Sequence, residues 1–289
     1  MSHCLAVIGG SGLYDIDGIE NVEELVVDTP YGAPSDAVRR ATISGSDATL
    51  LFLPRHGRGH RIPPHAINYR ANICALKMLG ASHVLSISAT GSMKESIAPG
   101  DLVVVDQFID LTKRRISTFF DEGVAAHVAF AEPICPVLAE ALKGAARRVL
   151  GHDGPGLHAG GTYVCIEGPQ FSTRAESQVY RSWGVDLVGM TNMPEAKLAR
   201  EAQLPYATLG LATDYDCWHE SEEAVDVTAV VARVKTMVGH AQAILLELGK
   251  HLPDPTASPA HRALEGAIMT TSLSADKQVE LQWLVGEKA

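Results

Sequence analysis

The chain lacks the sequence features of several large classes of protein. Its five cysteines are an odd number, widely spread and without a Cys-X-X-Cys pair, so neither a disulfide framework nor a metal site is expected. No apolar run is long enough to span a bilayer. The first eight residues have neither the basic start nor the long apolar core of a secretory signal. We therefore expect a cytoplasmic protein that binds neither a metal nor a membrane.

Positive charge is also scarce. The chain has 24 Lys and Arg against 34 Asp and Glu, which gives a formal net charge of −10 at pH 7. A general nucleic-acid-binding surface is not expected on such a protein, because the phosphates would be repelled. A small anion can still bind, since backbone N–H groups and a few Arg or His side chains can hold it locally.

Short apolar runs alternate with helical patterns along most of the chain. The runs are closed by glycine or small polar residues and lie at 5–8, 49–53, 84–87, 102–105, 163–166, 187–189 and 206–211. Helical periodicity occurs at 67–79, 174–183, 194–202 and 228–252. This alternation predicts an α/β fold, a single domain whose mixed central β-sheet is flanked by helices on both faces. We assign residues 1–252 to that domain and 253–289 to a C-terminal extension with a helix.

Two aspartates, Asp214 and Asp216, follow the last apolar run. The point where a strand opens into a loop is where α/β folds place their ligands. A carboxylate there can accept hydrogen bonds from an exocyclic amine and, once protonated, can donate one to a ring nitrogen. An adenine-type base needs both. The spacing alone leaves open a solvated pair of aspartates that begins a turn.

The first apolar run ends in a Gly-Gly-Ser-Gly loop at 9–12. The loop is not a dinucleotide fingerprint because the third glycine is absent, and no Gly-Lys-Ser/Thr sequence of a P-loop occurs. Free N–H groups and the Ser11 hydroxyl suit a single phosphate. A plain strand-to-loop turn is the alternative.

Two further strand ends carry groups of the same kind. Residues 55–60 contain two arginines and two histidines, among them Arg55, which can offer a fork to an oxyanion, and His56, which can donate from a ring nitrogen. Ser88 and Thr90 add hydroxyls after the third run. The convergence of three strand ends favours a phosphate site over a mobile basic surface loop.

Ten ordered motifs give the chain a specific resemblance. They are Ile-Gly-Gly-Ser-Gly at 8–12, Asp-Thr-Pro-Tyr-Gly at 28–32, Arg-His-Gly-Arg at 55–58, Asn-Tyr-Arg-Ala-Asn at 68–72, Asp-Gln-Phe-Ile-Asp at 106–110, Ile-Glu-Gly-Pro-Gln-Phe-Ser at 166–172, Arg-Ala-Glu at 174–176, Met-Thr at 190–191, Pro-Glu at 194–195 and Ala-Thr-Asp-Tyr-Asp-Cys-Trp at 212–218. Over residues 6 to 227 the chain resembles the methylthioadenosine phosphorylase branch of the trimeric purine nucleoside phosphorylase family.

The resemblance implies a reaction, a fold and an assembly. Phosphate would attack C1′ of a nucleoside and displace the purine, in purine and methionine salvage, on a fold of the nucleoside phosphorylase type. No cofactor is implied, because inorganic phosphate is a co-substrate. The expected assembly is a homotrimer with its sites at subunit borders. Asp rather than Asn at position 214 implies a 6-aminopurine, so the expected substrate is methylthioadenosine.

The resemblance also implies the residues of the site. Those that would bind phosphate are Ser11, Arg55, His56, Ser88, Ala89 through its backbone N–H, and Thr191. Those that would contact the ribose or the base are Met190, Phe171, Ser172, Asp214 and Asp216. An apolar pocket for the 5′ group would combine Val225 and Val227 with His127 and Leu273 of a neighbouring subunit. For the two valines, ordinary packing is the alternative.

The implied mechanism has an oxocarbenium-like transition state. Bound phosphate would stabilise the positive charge on the ribosyl ring, and Asp214 would act as general acid toward purine N7. Burial and the charge of Asp216 would raise the pKa of Asp214. A broader phosphorylase that accepts 6-oxopurine nucleosides and a nucleoside-binding protein without turnover are the alternatives. A nicotinamide-dependent dehydrogenase is disfavoured by the missing glycine.

Overall fold

A computed structural model describes residues 3–10, 12–13, 16–219 and 227–285. The strands in these residues are β1 (Cys4–Gly9), β2 (Ile19–Leu25), β3 (Val38–Ile43), β4 (Thr49–Pro54), β5 (His83–Ser92), β6 (Leu102–Val104), β7 (Gln107–Asp110), β8 (Leu157–His158), β9 (Thr162–Cys165), β10 (Leu187–Gly189) and β11 (Tyr206–Asp214). The α-helices are α1 (Tyr69–Met78), α2 (Pro136–Leu150), α3 (Arg174–Ser182), α4 (Asn192–Glu201), α5 (Val227–Lys250) and α6 (Ala275–Val285). None of these helices is long and apolar enough to cross a membrane.

All these strands belong to one mixed sheet. Its centre is parallel: β1 pairs with β4 and β5, and β5 pairs with β11 on its other side. Antiparallel strands extend it, since β3 joins β2 to β4, β6 runs against β11, and the end of β5 runs against β10. Every residue of β1 is buried, and successive side chains of a strand point to opposite faces, so both faces of the sheet are covered. The predicted α/β fold is therefore confirmed.

The apolar runs and the helical periodicity gave most of the central elements. The seven predicted runs are strands, and α1, α3, α4 and α5 fall where helices were predicted. Helix α2 and strands β2, β3, β7 and β8 were missed. Strand β2 has an acidic sequence and its middle residues are exposed, so it has no apolar run to reveal it.

The C-terminal segment is docked on the rest of the chain. Two short 3-10 turns, Pro255–Ala257 and Pro259–Arg262, lead toward α6. Trp283 of α6 packs edge-on against Phe119 and Tyr31, with ring centroids 4.9 and 6.2 Å away. Lys277 forms ion pairs with Asp121 and Glu280. The division of the chain at residue 252 stays a prediction.

Candidate active site

Four parallel strands bring the predicted site segments to one edge of the sheet. In the register of β1, β4, β5 and β11, Gly9 lies opposite Pro54, Ile8 opposite Ser86, and Asp214 opposite Gly91. Parallel strands end at the same edge, so the segments that follow them become neighbours. The glycine loop, the Arg-His segment, the 88–90 segment and the aspartates therefore lie side by side.

Arg55 lies beneath this edge, with its side chain 2% exposed. Nε and Nη2 donate to the two carboxylate oxygens of Glu195 at 2.9 and 3.2 Å. Nη2 also donates to Ser86 Oγ and to the carbonyl of Ile8, and Nη1 donates to the carbonyl of Ile87. Among the described residues, only one N–H of Nη1 has no acceptor. The fork that was expected to hold phosphate is thus directed at Glu195, and Arg55 ties the end of β1 to the middle of β5.

His56 has a defined tautomer in this structure. Nδ1 lies 2.8 Å from the carbonyl oxygen of Ile62, and because a carbonyl only accepts, Nδ1 carries the hydrogen. The ring stacks on His60 with centroids 4.2 Å apart. Burial lowers the pKa of His56 to about 4, although the hydrogen bond to Ile62 opposes the shift. At neutral pH, therefore, Nε2 carries no hydrogen and can only accept, while the ring nitrogen that donates, Nδ1, is engaged by Ile62.

Ser88 and Thr191 are brought together although 103 residues separate them. Their hydroxyl oxygens lie 3.2 Å apart. Thr191 is the N-cap residue of α4, but its side chain makes no capping hydrogen bond. The end of β5 is buried at Ser88 and Thr90 and exposed at Ala89 between them. The first turn of α4 is irregular, since Met193 has a non-helical backbone and the Thr191 N–H donates to the Tyr163 hydroxyl, so the two hydroxyls are the groups here that suit an oxyanion.

The aspartates form an ordered pair. Asp214 accepts a hydrogen bond from the backbone N–H of Asp216 at 2.8 Å and one from Thr213 Oγ1 at 2.7 Å. Asp216 is only 7% exposed and has a left-handed φ of 51°. Burial raises the pKa of Asp216, and the charge of Asp214 adds to the rise. The surroundings therefore shift the pKa of Asp216 upward, in the direction of the protonated form.

The loop at 166–172 lies directly against Met190. A Cβ placed on Gly168, whose φ is 65°, would be 2.6 Å from Met190 Sδ. The Phe171 ring is half exposed, and the Ser172 hydroxyl is buried without a hydrogen-bond partner among the described residues. Cys217 Sγ lies 3.4 Å from the carbonyl oxygen of Ser172, which joins this loop to the segment of the aspartates. The residues expected at the ribose and the base thus lie on contacting loops.

The expected 5′ pocket is described only in part. Ser11 of the phosphate loop and Val225 lie outside the described residues, as does the side chain of Val227. His127 and Leu273 lie on two segments that pair with each other, since the His127 N–H donates to the carbonyl of Ala267 and Ala126 bridges to Ile268.

Comparison with known proteins places this arrangement in a family. The family described as the phosphorylase superfamily matches residues 5–249. The chain belongs to this superfamily. The S-methyl-5'-thioadenosine phosphorylases of Geobacter sulfurreducens and of a Synechocystis species are 48% and 51% identical to it, covering 99% and 92% of the chain and 99% and 81% of their own lengths. The branch inferred from the motifs is therefore confirmed.

Solved structures of the superfamily agree with the fold. A methylthioadenosine phosphorylase from an Antarctic soil metagenome has a TM-score of 0.91 and 46% identity, with 98% of this chain and 99% of that one covered. A mutant of the adenosine/methylthioadenosine phosphorylase of Schistosoma mansoni, solved with methylthioadenosine, has a TM-score of 0.80 and 38% identity over 92% and 96% of the two chains.

Sequence reasoning missed several residues that build this superfamily site. Glu195 was only part of a motif, although a glutamate that is 1% exposed requires a partner. Tyr206 donates to Glu195 at 2.9 Å and receives a hydrogen bond from Asn192. Gly91 was also missed: a Cβ there would lie 3.1 Å from Asp214 Oδ1 and 3.2 Å from Asp216 Cβ. The glycine beside a polar strand end is the one signal that the sequence offered, whereas the burial of Glu195 is visible only in the structure.

Proposed function

We propose that this chain cleaves S-methyl-5'-thioadenosine with inorganic phosphate, releasing adenine and 5-methylthioribose 1-phosphate. One observation carries the proposal: the hydroxyls of Ser88 on β5 and Thr191 at the start of α4 lie 3.2 Å apart, beside the strand β11 that ends in the aspartate pair. Relatives at 46–52% identity bear the name of this activity. The reaction requires no cofactor, and we place the enzyme in the cytoplasm.

Phosphate binds at the N-terminus of α4 in this proposal. The hydroxyls of Ser88 and Thr191, the N–H of Ala89 and the remaining N–H of Arg55 donate to its oxygens, with Ser11 completing the loop. Hydrogenphosphate carries one P–O–H group, and Nε2 of His56 accepts from it, because Nδ1 already donates to Ile62. This arrangement orients an unprotonated oxygen toward C1′.

Bond exchange at C1′ follows. A phosphate oxygen forms a bond to C1′ while the bond from C1′ to purine N9 breaks, and its electrons move into the purine. Asp214 donates a proton to N7 as the negative charge develops there. The carboxylate of the pair accepts from the exocyclic amine. The pKa of the neighbouring Asp216 is raised, chiefly by burial, and the two carboxyl groups titrate as a coupled pair.

The 5′ methylthio group enters an apolar pocket at a subunit border. Val225 and Val227 form one wall, and His127 and Leu273 of a neighbouring copy form the other. The paired segments that carry His127 and Leu273 support this assignment because they form one continuous strip. Sedimentation velocity should show a homotrimer; a fully active monomer would refute the shared pocket.

The decisive experiment is base release with and without phosphate. Methylthioadenosine, methylthioinosine, adenosine and inosine are incubated with the enzyme and free base is separated by chromatography. Adenine release from methylthioadenosine that requires phosphate supports the proposal. Activity confined to the inosine compounds would replace it with a 6-oxopurine phosphorylase, and no cleavage of any nucleoside would leave a binding protein.

A further inference from the structure

Arg115 is a buried arginine in an otherwise exposed segment. Its side chain is 1% exposed, whereas Lys113, Arg114 and Ile116 around it are exposed. It lies outside all the motifs that carry the family resemblance. Burying a guanidinium costs a large hydration free energy unless its N–H groups donate to acceptors in the protein. The acceptors of Arg115 therefore identify the segments that this buried side chain holds together.

The acceptors of Arg115 belong to two turns of the candidate site. Nη1 donates to the carbonyls of Met190 and Met193 at 2.7 and 2.6 Å. Nη2 donates to the carbonyl of Glu167 at 2.6 Å, and Nε donates to the Glu167 carboxylate at 2.9 Å. One planar group therefore joins the turn after β10 to the loop after β9.

Glu167 holds the arginine segment in return. Its second carboxylate oxygen accepts from the backbone N–H groups of Lys113 and Arg114. Tyr69 closes the other side, because its hydroxyl accepts from Nη1 and donates to the carbonyl of Pro64. The Arg115 guanidinium is thus held by Glu167 on one side and by Tyr69 on the other. A side chain that positions other groups must itself be held in this way.

These two turns carry the nucleoside side of the site. Met190 lies under the expected ribose, and the loop that Glu167 begins carries Phe171 and Ser172. A Cβ on Gly168 would lie only 2.6 Å from Met190 Sδ, so the two turns are packed directly against each other. Thr191, on the phosphate side, has anchors of its own in Tyr163 and Ser88.

We propose that Arg115 is a positioning residue that fixes the nucleoside half of the site and affects the phosphate half less, although Met190 and Met193 flank Thr191. The assignment rests on the proposed function for its substrate. Lysine cannot replace the arginine, because an ammonium is a single point of donation and does not span two turns as a planar fork does.

The test compares Arg115→Lys and Arg115→Met with Arg114→Met as the matched control. Arg114 is exposed and contributes only a backbone N–H to Glu167, so its variant should match the wild type. In Arg115→Lys, loss of hydrogen bonds to one turn should raise KM for methylthioadenosine about tenfold and leave KM for phosphate within about threefold. Melting temperatures of all variants are recorded alongside.

Two kinetic outcomes contradict the proposal. Unchanged KM values in both Arg115 variants, with only a lower melting temperature, would mean that the residue serves stability alone. Equal rises in the two KM values would mean that it holds the whole site. If Arg115→Met fails to fold, Arg115→Lys still decides.

A failure of the proposed function is distinguished by the wild-type enzyme. If the wild type cleaves none of the four nucleosides, the function is wrong, and Arg115 is then tested by calorimetric titration with adenine. Binding weakened about tenfold in Arg115→Lys supports the positioning role; equal affinity for wild type and variant refutes it.

Discussion

Arg55 and Glu195 form an ion pair in which Nε and a carboxylate oxygen lie 2.9 Å apart and neither side chain is more than 2% exposed. Burial alone would lower the pKa of Arg55, but the charge of Glu195 more than compensates, so the pKa is raised. The pair joins helix α4 to the end of β1 and the middle of β5, beneath the proposed phosphate site. Arg55 is therefore part of the architecture of the site as well as a candidate ligand.

Replacing Arg55 with alanine should destabilise the protein and not merely weaken phosphate binding. It leaves Glu195 buried without its cation, which costs about 3–5 kcal/mol for pairs of this kind. Arg58→Ala is the control, since Arg58 is half exposed in its ion pairs and such pairs contribute about 0–1 kcal/mol. Urea unfolding at one fixed protein concentration measures both. Equal stability of the two variants would contradict the structural role.

Asp214→Asn should change the preferred base. In the proposed site Asp214 faces the base edge as general acid. An amide in its place cannot donate a proton in this way, so turnover of methylthioadenosine should fall roughly 10²–10⁴-fold. Methylthioinosine should be favoured relative to it, because the amide can donate to a 6-oxo group. Asp153→Asn, on an exposed turn, is the control. Undiminished turnover of methylthioadenosine would reject the base assignment.

Gly91→Ala should displace the aspartate pair. The new methyl group would lie 3.0–3.2 Å from Val188, Asp214 and Asp216, which is closer than ordinary contact. We expect kcat/KM to fall about tenfold or more, since small misplacements of catalytic groups are costly. Gly239→Ala adds the same methyl group to helix α5, where it meets no atom within 4 Å, and should leave activity intact. Identical kinetics for the two variants would show that the close packing of the aspartates against residue 91 does not require glycine.

Stability should fall as the solution becomes acidic, partly because of His83. Burial lowers the pKa of His83 to about 4 in the folded chain, whereas an unfolded histidine titrates near 6.5. Between these values the unfolded state binds a proton and the folded state does not, so unfolding becomes easier as pH falls. Within this pH range, His83 makes the free energy of unfolding fall by about 1.4 kcal/mol for each pH unit of acidification.

His83→Gln should remove that part of the slope, whereas His152→Gln, at an exposed position, should not. Free energies of unfolding measured at pH 4.5, 5.5, 6.5 and 7.5 provide the comparison. Burial lowers the pKa of His56 as well, and His56 remains in both variants. We therefore expect the free energy of unfolding of His83→Gln still to fall somewhat as the pH falls. Equal slopes for wild type and His83→Gln would contradict the assignment.

The sequence by itself determined the central strands and the chemistry at their ends. Apolar runs closed by small polar residues identified β1, β5 and β11, because burial on both faces demands such runs. Since parallel strands end at one edge, the order of these elements was enough to place Arg55, Ser88 and Asp214 together. The motifs then indicated the family, because a family can be recognised from ordered sequence motifs without knowledge of residue contacts.

Only the tertiary structure decided what each group can do. Glu195 lies 140 residues from Arg55 and is matched to it by strand register and the position of α4, which no local pattern records. The Nδ1 hydrogen of His56 is set by the carbonyl of Ile62, and the role of Arg115 by turns far along the chain. Local sequence encodes periodicity and residue type, whereas hydrogen-bond partners and burial arise when distant segments pack together.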